Sequence, residues 1–199
     1  MKHQLTENKI TTEKHARKLL RTTKETMELA ISTGKNLHYI NDHYLFAIAY
    51  HTGLRVSELL DLTWGDISED SLLVRRGKGN KKRSVVFGSK TREIIDGFRD
   101  AQQRHLGREC AADTPLFIGQ RGKFGRVGAH LRLKYWSNKL GLPKSLSMHS
   151  FRHGYATRLL NQGIPLHSVK EQLGHTNIAV TSVYLHFTDE AKDRLKKIL

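Results

Sequence analysis

The chain has 199 residues, mean hydropathy −0.52, and 34 Lys+Arg against 19 Asp+Glu, which gives a formal net charge of +15 and a pI near 10.1. That length suits one domain with a real core, and the charge calls for a polyanionic partner, nucleic acid ahead of an anionic membrane surface. No apolar run approaches the roughly 18 residues of a spanning helix, and the single cysteine, Cys110, excludes an internal disulfide or a Cys-rich zinc site.

The opening MKHQLTENKI lacks the apolar stretch of a signal peptide. Residues 12–33 then read as a helix, with Ala16, Leu19, Leu20, Thr23, Met27, Ala30 and Ile31 at helical spacing and Gly34 as the stop. Asp42 is placed to cap a second helix, DHYLFAIAYHTG, with Leu45, Ile48 and Ala49 as its buried residues and Gly53 as its end. Arg55 opens a short helix, RVSELLDL. The runs SLLVRR and KRSVVF flank a tight GKGN, a hairpin signal. Helices follow at 91–105, 127–140, 149–162, 165–173 and 178–186, with 107–126 read as a loop. The closing DEAKDRLKKIL is amphipathic, with Ala191, Leu195, Ile198 and Leu199 on one side. The expectation is a mainly α domain with a small antiparallel β-sheet, an α+β fold.

Four stretches hold side chains suited to chemistry. In TGLRVSEL, Arg55 and Glu58 share a helical face, so the carboxylate is able to orient the guanidinium; alone, the pair reads equally as a surface ion pair. In RRGKGNKKR six of nine residues are basic around a hairpin tip, either a cation for a groove or a solvated charge run. In MHSFRHGYAT, His149 and Arg152 lie three apart at the start of a helix, where N–H groups attract phosphate; a purely structural role is the plain alternative. In LGHTNIAVTSVYLHF, His175 precedes Tyr184 by nine residues, about 900° of rotation on one unbroken helix. Cooperation between them needs a break, which Gly174 as stop and Thr176 or Asn177 as cap would supply. Otherwise a single tyrosine is a packing residue.

Together these residues form the equipment for one reaction. Two arginines offer planar, permanently charged forks for the non-bridging oxygens of a phosphodiester, where charge builds during attack at phosphorus. A tyrosine, with an ordinary pKa of about 10, needs a proton acceptor and a cationic site to act as nucleophile. Histidine accepts a proton near neutral pH, and a lysine is able to protonate the leaving oxygen without a metal. The sequence has no P-loop and no carboxylate cluster for magnesium, so neither cofactor nor metal is expected.

TGLRVSE, GKGNKKR, HSFRH, LGH and VYLHF stand in the order and spacing of the tyrosine site-specific recombinases, the phage-integrase family, and residues 45–190 resemble its catalytic domain. The resemblance implies the tyrosine recombinase and type IB topoisomerase fold, with Tyr184 as the nucleophile that forms a 3′-phosphotyrosyl link. It implies Arg55 and Arg152 as phosphate clamps, Lys78 as the acid for the leaving 5′-oxygen, and Lys81 and Lys82 as fallbacks. His149 would be the base towards Tyr184, His175 a further phosphate hydrogen bond, and Glu58 an orienting residue. From charge, Arg75, Arg76, Lys81, Lys82, Arg83, Arg121, Lys123, Arg126, Arg132 and Lys134 are candidates for DNA contact.

The expected organisation is a basic helical extension over 1–40, a catalytic domain over 41–187 and a C-terminal amphipathic helix over 188–199. That last helix would dock on a neighbouring protomer or on its own core. Some 40 residues before the TGLR helix are too few for the family's core-binding module. The chain therefore reads as a naturally short recombinase, similar in size to the fimbrial DNA invertases, or as a catalytic fragment. Its expected partners are double-stranded DNA and copies of itself, as a tetramer on paired sites or a monomer without DNA, in the cytoplasm, associated with the nucleoid of a prokaryote or its mobile elements, with no membrane involved. A type IB topoisomerase-like relaxase and a non-catalytic DNA-binding regulator are the alternative functions.

Overall fold

The computed structural model describes residues 13–75, 82–119 and 122–174. Its elements are α1 (Glu13–Thr33), α2 (His38–Thr52), α3 (Val56–Asp61), β1 (Ser71–Val74), β2 (Arg83–Val86), α4 (Ser89–Leu106), β3 (Ile118–Gly119), β4 (Gly122–Lys123), α5 (Arg126–Leu140), α6 (Met148–Asn161) and α7 (Leu166–Leu173). A single 3₁₀ turn, Trp64–Asp66, links α3 to β1. No helix among the described residues is long and apolar enough to cross a membrane.

Helix α2 is the pillar. Its sequence, HYINDHYLFAIAYHT, has apolar side chains around the whole circumference, so it is stable only when enclosed. Every residue from Ile40 to Tyr50 is buried, with α1, α4 and α6 packed around it. Helix α1 has the opposite character: Ala16, Leu19, Thr23, Met27 and Ala30 form one buried stripe and the remaining faces are polar. Ala16, Leu19 and Met27 join the same core as α2, so the described part of the basic N-terminal stretch is built into the domain.

Asp42 is not the cap of α2. The helix begins a turn earlier, at His38, and Asp42 lies buried within it. There its carboxylate accepts hydrogen bonds from Arg132 Nε at 2.8 and 3.0 Å and from Trp136 Nε1 at 2.7 Å. A carboxylate tolerates burial when donors surround it, and those donors come from α5, too far along the chain for local reading to find.

The hairpin holds as read. β1 and β2 pair antiparallel from Ser71↔Val86 to Val74↔Arg83, with Leu72, Val74 and Val85 on the core side. The stretch read as a loop contains a second, smaller hairpin, with Ile118 opposite Lys123. It is stitched to the 62–65 segment by Trp64 N–H to Thr114 O (3.0 Å) and Leu116 N–H to Leu62 O (3.0 Å). Two-residue strands are too short to show the alternation that identifies a strand.

Helix α6 faces two ways. Met148 and Phe151 enter the main core, while Tyr155, Ala156 and Leu160 form a second cluster with Val169 and Leu173 of α7. Gly53, at the end of α2, makes this close approach possible. Its φ is +63°, and a β-carbon there would lie 2.4 Å from Tyr155 Cδ1. Only glycine accepts both conditions.

Candidate active site

The site is built around the carboxylate of Glu58. Helix α3 is short, with Arg55 at its N-cap and Glu58 at its third position, so the glutamate side chain turns back on the cap. It accepts the Arg55 backbone N–H at 2.9 Å and the Arg55 guanidinium at 2.8 Å. From β2, Arg83 adds a two-pronged contact, with Nη1 and Nη2 at 2.8 and 2.9 Å from the two carboxylate oxygens. Arg152 Nη1, from α6, completes the group at 3.9 Å. Three guanidinium groups thus surround one carboxylate whose side chain is 3% exposed. Burial pushes the Glu58 pKa up, but hydrogen bonds from Arg83 and from the Arg55 backbone outweigh it and bring it down to about 2. Glu58 is therefore an anion at neutral pH.

The three arginines are not equivalent. Arg55 is the most open, its side chain 25% exposed, whereas Arg83 is 13% and Arg152 only 1% exposed. Arg152 donates from Nη1 to Gly53 O at 3.0 Å and from Nη2 to Leu173 O. Both carbonyls lie at helix C-terminal ends, where a cation is favoured. Arg152 thus braces α2 against α7. One turn of α6 away, His149 keeps a solvent-exposed surface, and its ring meets that of His153 edge-on with 4.6 Å between centroids. Crowding by the protein, together with the charges of Arg152 and Arg55, lowers its pKa and favours the neutral imidazole. HSFRH also has the spacing of a two-histidine metal motif. Among the described residues, however, no group of three or more His, Cys, Asp or Glu side chains is placed to hold a metal ion.

The sequence profile of the phage integrase family matches residues 9–191. The chain belongs to that family. It is 38% identical over 143 residues to tyrosine recombinase XerD of Chlamydia trachomatis, covering 71% of this chain and 47% of the relative. Against tyrosine recombinase XerC of Herpetosiphon aurantiacus it is 34% identical, covering 83% and 54% respectively. The chain thus spans about half the length of these curated relatives. The fold is similar to the crystal structure of XerA recombinase, with a TM-score of 0.75 at 22% identity, over 98% of this chain and 63% of the other. It is also similar to XerH recombinase bound to its palindromic difH substrate, with a TM-score of 0.73 at 21% identity, over 94% and 52%. The fold is that of the tyrosine recombinases.

Within this family fold, the structure brings together Arg55, Glu58, His149 and Arg152 from the sequence-derived site. Lys78, His175 and Tyr184 lie outside the described residues, as do Arg76, Lys81, Arg121 and the 188–199 helix. Of the cations expected at DNA, Lys82, Arg126 and Lys134 are exposed. Arg75 is exposed but held by the buried Asp66 and by Thr63 Oγ1, and Lys123 pairs with Asp61. Two further candidates are paired with buried carboxylates. Arg132 is committed to Asp42 and lies over the rings of Tyr39 and Tyr135, at 5.6 and 4.8 Å. Arg83 is committed to Glu58. Charge alone suggested a phosphate contact for both, but each helps to offset the desolvation of a buried carboxylate.

Sequence reasoning missed Gln172. Its side-chain amide imitates a β-strand, accepting Val86 N–H at 3.2 Å and donating to Val86 O, and it also donates to Tyr155 Oη at 3.1 Å. This fastens α7 to β2. A lone half-buried glutamine on a helix carries no pattern that would single it out.

Proposed function

We propose that the chain is the strand-breaking and strand-rejoining module of a site-specific recombinase acting on double-stranded DNA. Tyr184 attacks the scissile phosphorus, forms a 3′-phosphotyrosyl bond and releases a 5′-hydroxyl, and attack by a 5′-hydroxyl reverses the step. The covalent link preserves the phosphodiester energy, so neither metal nor nucleotide is required. Arg55 meets the non-bridging oxygens from the solvent side, and Arg152 joins it in stabilising the charge that develops there. His149, favoured as neutral imidazole, takes the tyrosine proton. Lys78 protonates the leaving oxygen, and His175 adds a hydrogen bond to the phosphate. Lys82, Arg126 and Lys134 contact the DNA backbone. Recombination proceeds on paired sites held by a homo-oligomer near the nucleoid, with residues 188–199 docked on a neighbouring protomer.

The observation that carries this reading is the gathering of Arg55 at the N-cap of α3 and Arg152 of α6 around Glu58, with His149 of α6 near both guanidinium charges, in a chain matched to the family over 9–191. The test is covalent capture from a pool of nicked duplexes of randomised sequence. Wild-type protein is expected to retain DNA through SDS and boiling, and Tyr184→Phe to retain none. Equal retention by both, or none by wild type, would overturn the proposal. Sequencing the captured DNA gives the target site and the cleaved position together.

A further inference from the structure

The hairpin stem, α3 and the end of α7 come from three separate parts of the chain, and one side chain touches all of them. Arg83 starts in β2 and makes its two-pronged contact with Glu58 of α3. Its Nε faces Gln172 O of α7 at 3.4 Å. It also lies against Gly174, where φ is +65° and a β-carbon would stand 2.8 Å from Arg83 Cδ and Nε. Gln172 returns the contact through both backbone groups of Val86. The opposite stem of the hairpin is held in the same manner, with Arg75 donating to the buried carboxylate of Asp66. Each stem residue is therefore fixed to a buried acid, beside a tip whose sequence is GKGNK.

We infer that Arg83 is a positioning residue, fastening the β1–β2 hairpin and the C-terminal end of α7 to the arginine cluster as one rigid unit. It sets the rate of strand cleavage and leaves DNA affinity nearly unchanged. The geometry separates it from the other cations of the segment. A residue held by Glu58 on one side and by the end of α7 on the other has no fork left for a phosphate, whereas Lys82 beside it is exposed. A lysine at position 83 keeps the charge but is unable to bridge two carboxylate oxygens and a carbonyl together, because its ammonium is a single point.

The catalytic part of this inference rests on the strand-cleaving function proposed above, so the test has two arms. The first measures amide hydrogen exchange of wild type, Arg83→Met and Gln172→Leu without DNA. Removal of either partner is expected to accelerate exchange in residues 83–86 and 166–174 together. Acceleration confined to the mutated element would overturn the inference, whatever the enzyme does to DNA. The second arm uses a duplex recovered from the covalent capture. Single-turnover adduct formation is expected to fall about a hundredfold in Arg83→Met, the loss that accompanies an ångström-scale misplacement of reacting groups. Affinity for the same duplex, read by fluorescence anisotropy, should stay within about threefold, since a mostly buried cation contributes little to counterion release.

Arg83→Lys is expected to recover thermal stability but not cleavage, and Gln172→Leu provides the same comparison with a milder structural change. Wild-type cleavage rates in Arg83→Lys, or parallel loss of affinity and rate in Arg83→Met, would overturn the positioning role. A wild type that forms no adduct with any duplex would instead refute the strand-cleaving function and leave the exchange arm to decide the tie.

Discussion

Replacing Glu58 by glutamine removes one negative charge from among three positive ones and leaves the volume almost unchanged. The size of the effect follows from the acid–base balance of the folded chain. Glu58 is held at about 2 against an ordinary 4.5. Its folded pKa is depressed, so the stability it contributes is complete above about 4.5 and disappears as pH falls towards 2. The contribution is about 3 kcal/mol at pH 7 and less than half of that at pH 3. Urea denaturation is a suitable assay, because Trp64 and Trp136 are both buried and their fluorescence reports unfolding. The difference between wild type and Glu58→Gln should be largest at neutral pH and at least halve by pH 3. A constant difference across that range, or a glutamine variant as stable as wild type at pH 7, would refute the account of Glu58 as the anion that holds the cluster together.

Gly53→Ala combines a left-handed backbone with overlap against Tyr155 and should cost about 3 kcal/mol, read as a lower urea midpoint; a change below about 1 kcal/mol would contradict the close approach of α2 and α6. Asp42→Asn leaves Arg132 and Trp136 facing a neutral amide inside the core, and an unfolding loss of about 3 kcal/mol with altered Trp136 emission is expected. His43 is buried, hydrogen-bonded through Nδ1 to Thr23 Oγ1 at 3.2 Å, and pushed down to about 4 by burial and then by Lys24. Its folded pKa lies below the unfolded 6.5, so the unfolded chain takes up the proton first and stability falls as pH drops from about 6.5 towards 4. His51 is likewise pushed down to about 4 by burial, so His43→Gln should make that part of the stability profile shallower without levelling it, and an unchanged slope there would refute the assignment.

How far the sequence could be read depended on the range of the interactions. Helices α1, α4, α5, α6 and α7 follow from apolar spacing and glycine stops, which are local signals, and their ends fell within two residues of expectation. Arg55 and Glu58 were legible for the same reason, since three residues on one helical turn are enough to define the pair. Arg83, Arg132 and Gln172 were not. Each is defined by a partner on a distant element, and a basic residue bound for a buried acid looks the same in sequence as one bound for solvent. The β3–β4 pair was hidden by its brevity, and the first turn of α2 by a cap residue that the fold uses elsewhere.

The cluster at Glu58 draws its members from α3, β2 and α6, and each of these elements is anchored by apolar side chains that take no part in it. Leu59 and Leu60 anchor α3, Val85 anchors β2, and Phe151 anchors α6. The three guanidinium groups are therefore held close, against their mutual repulsion, by this apolar framework together with the Glu58 carboxylate. Donors fixed in this way need little reorganisation when an anion arrives among them.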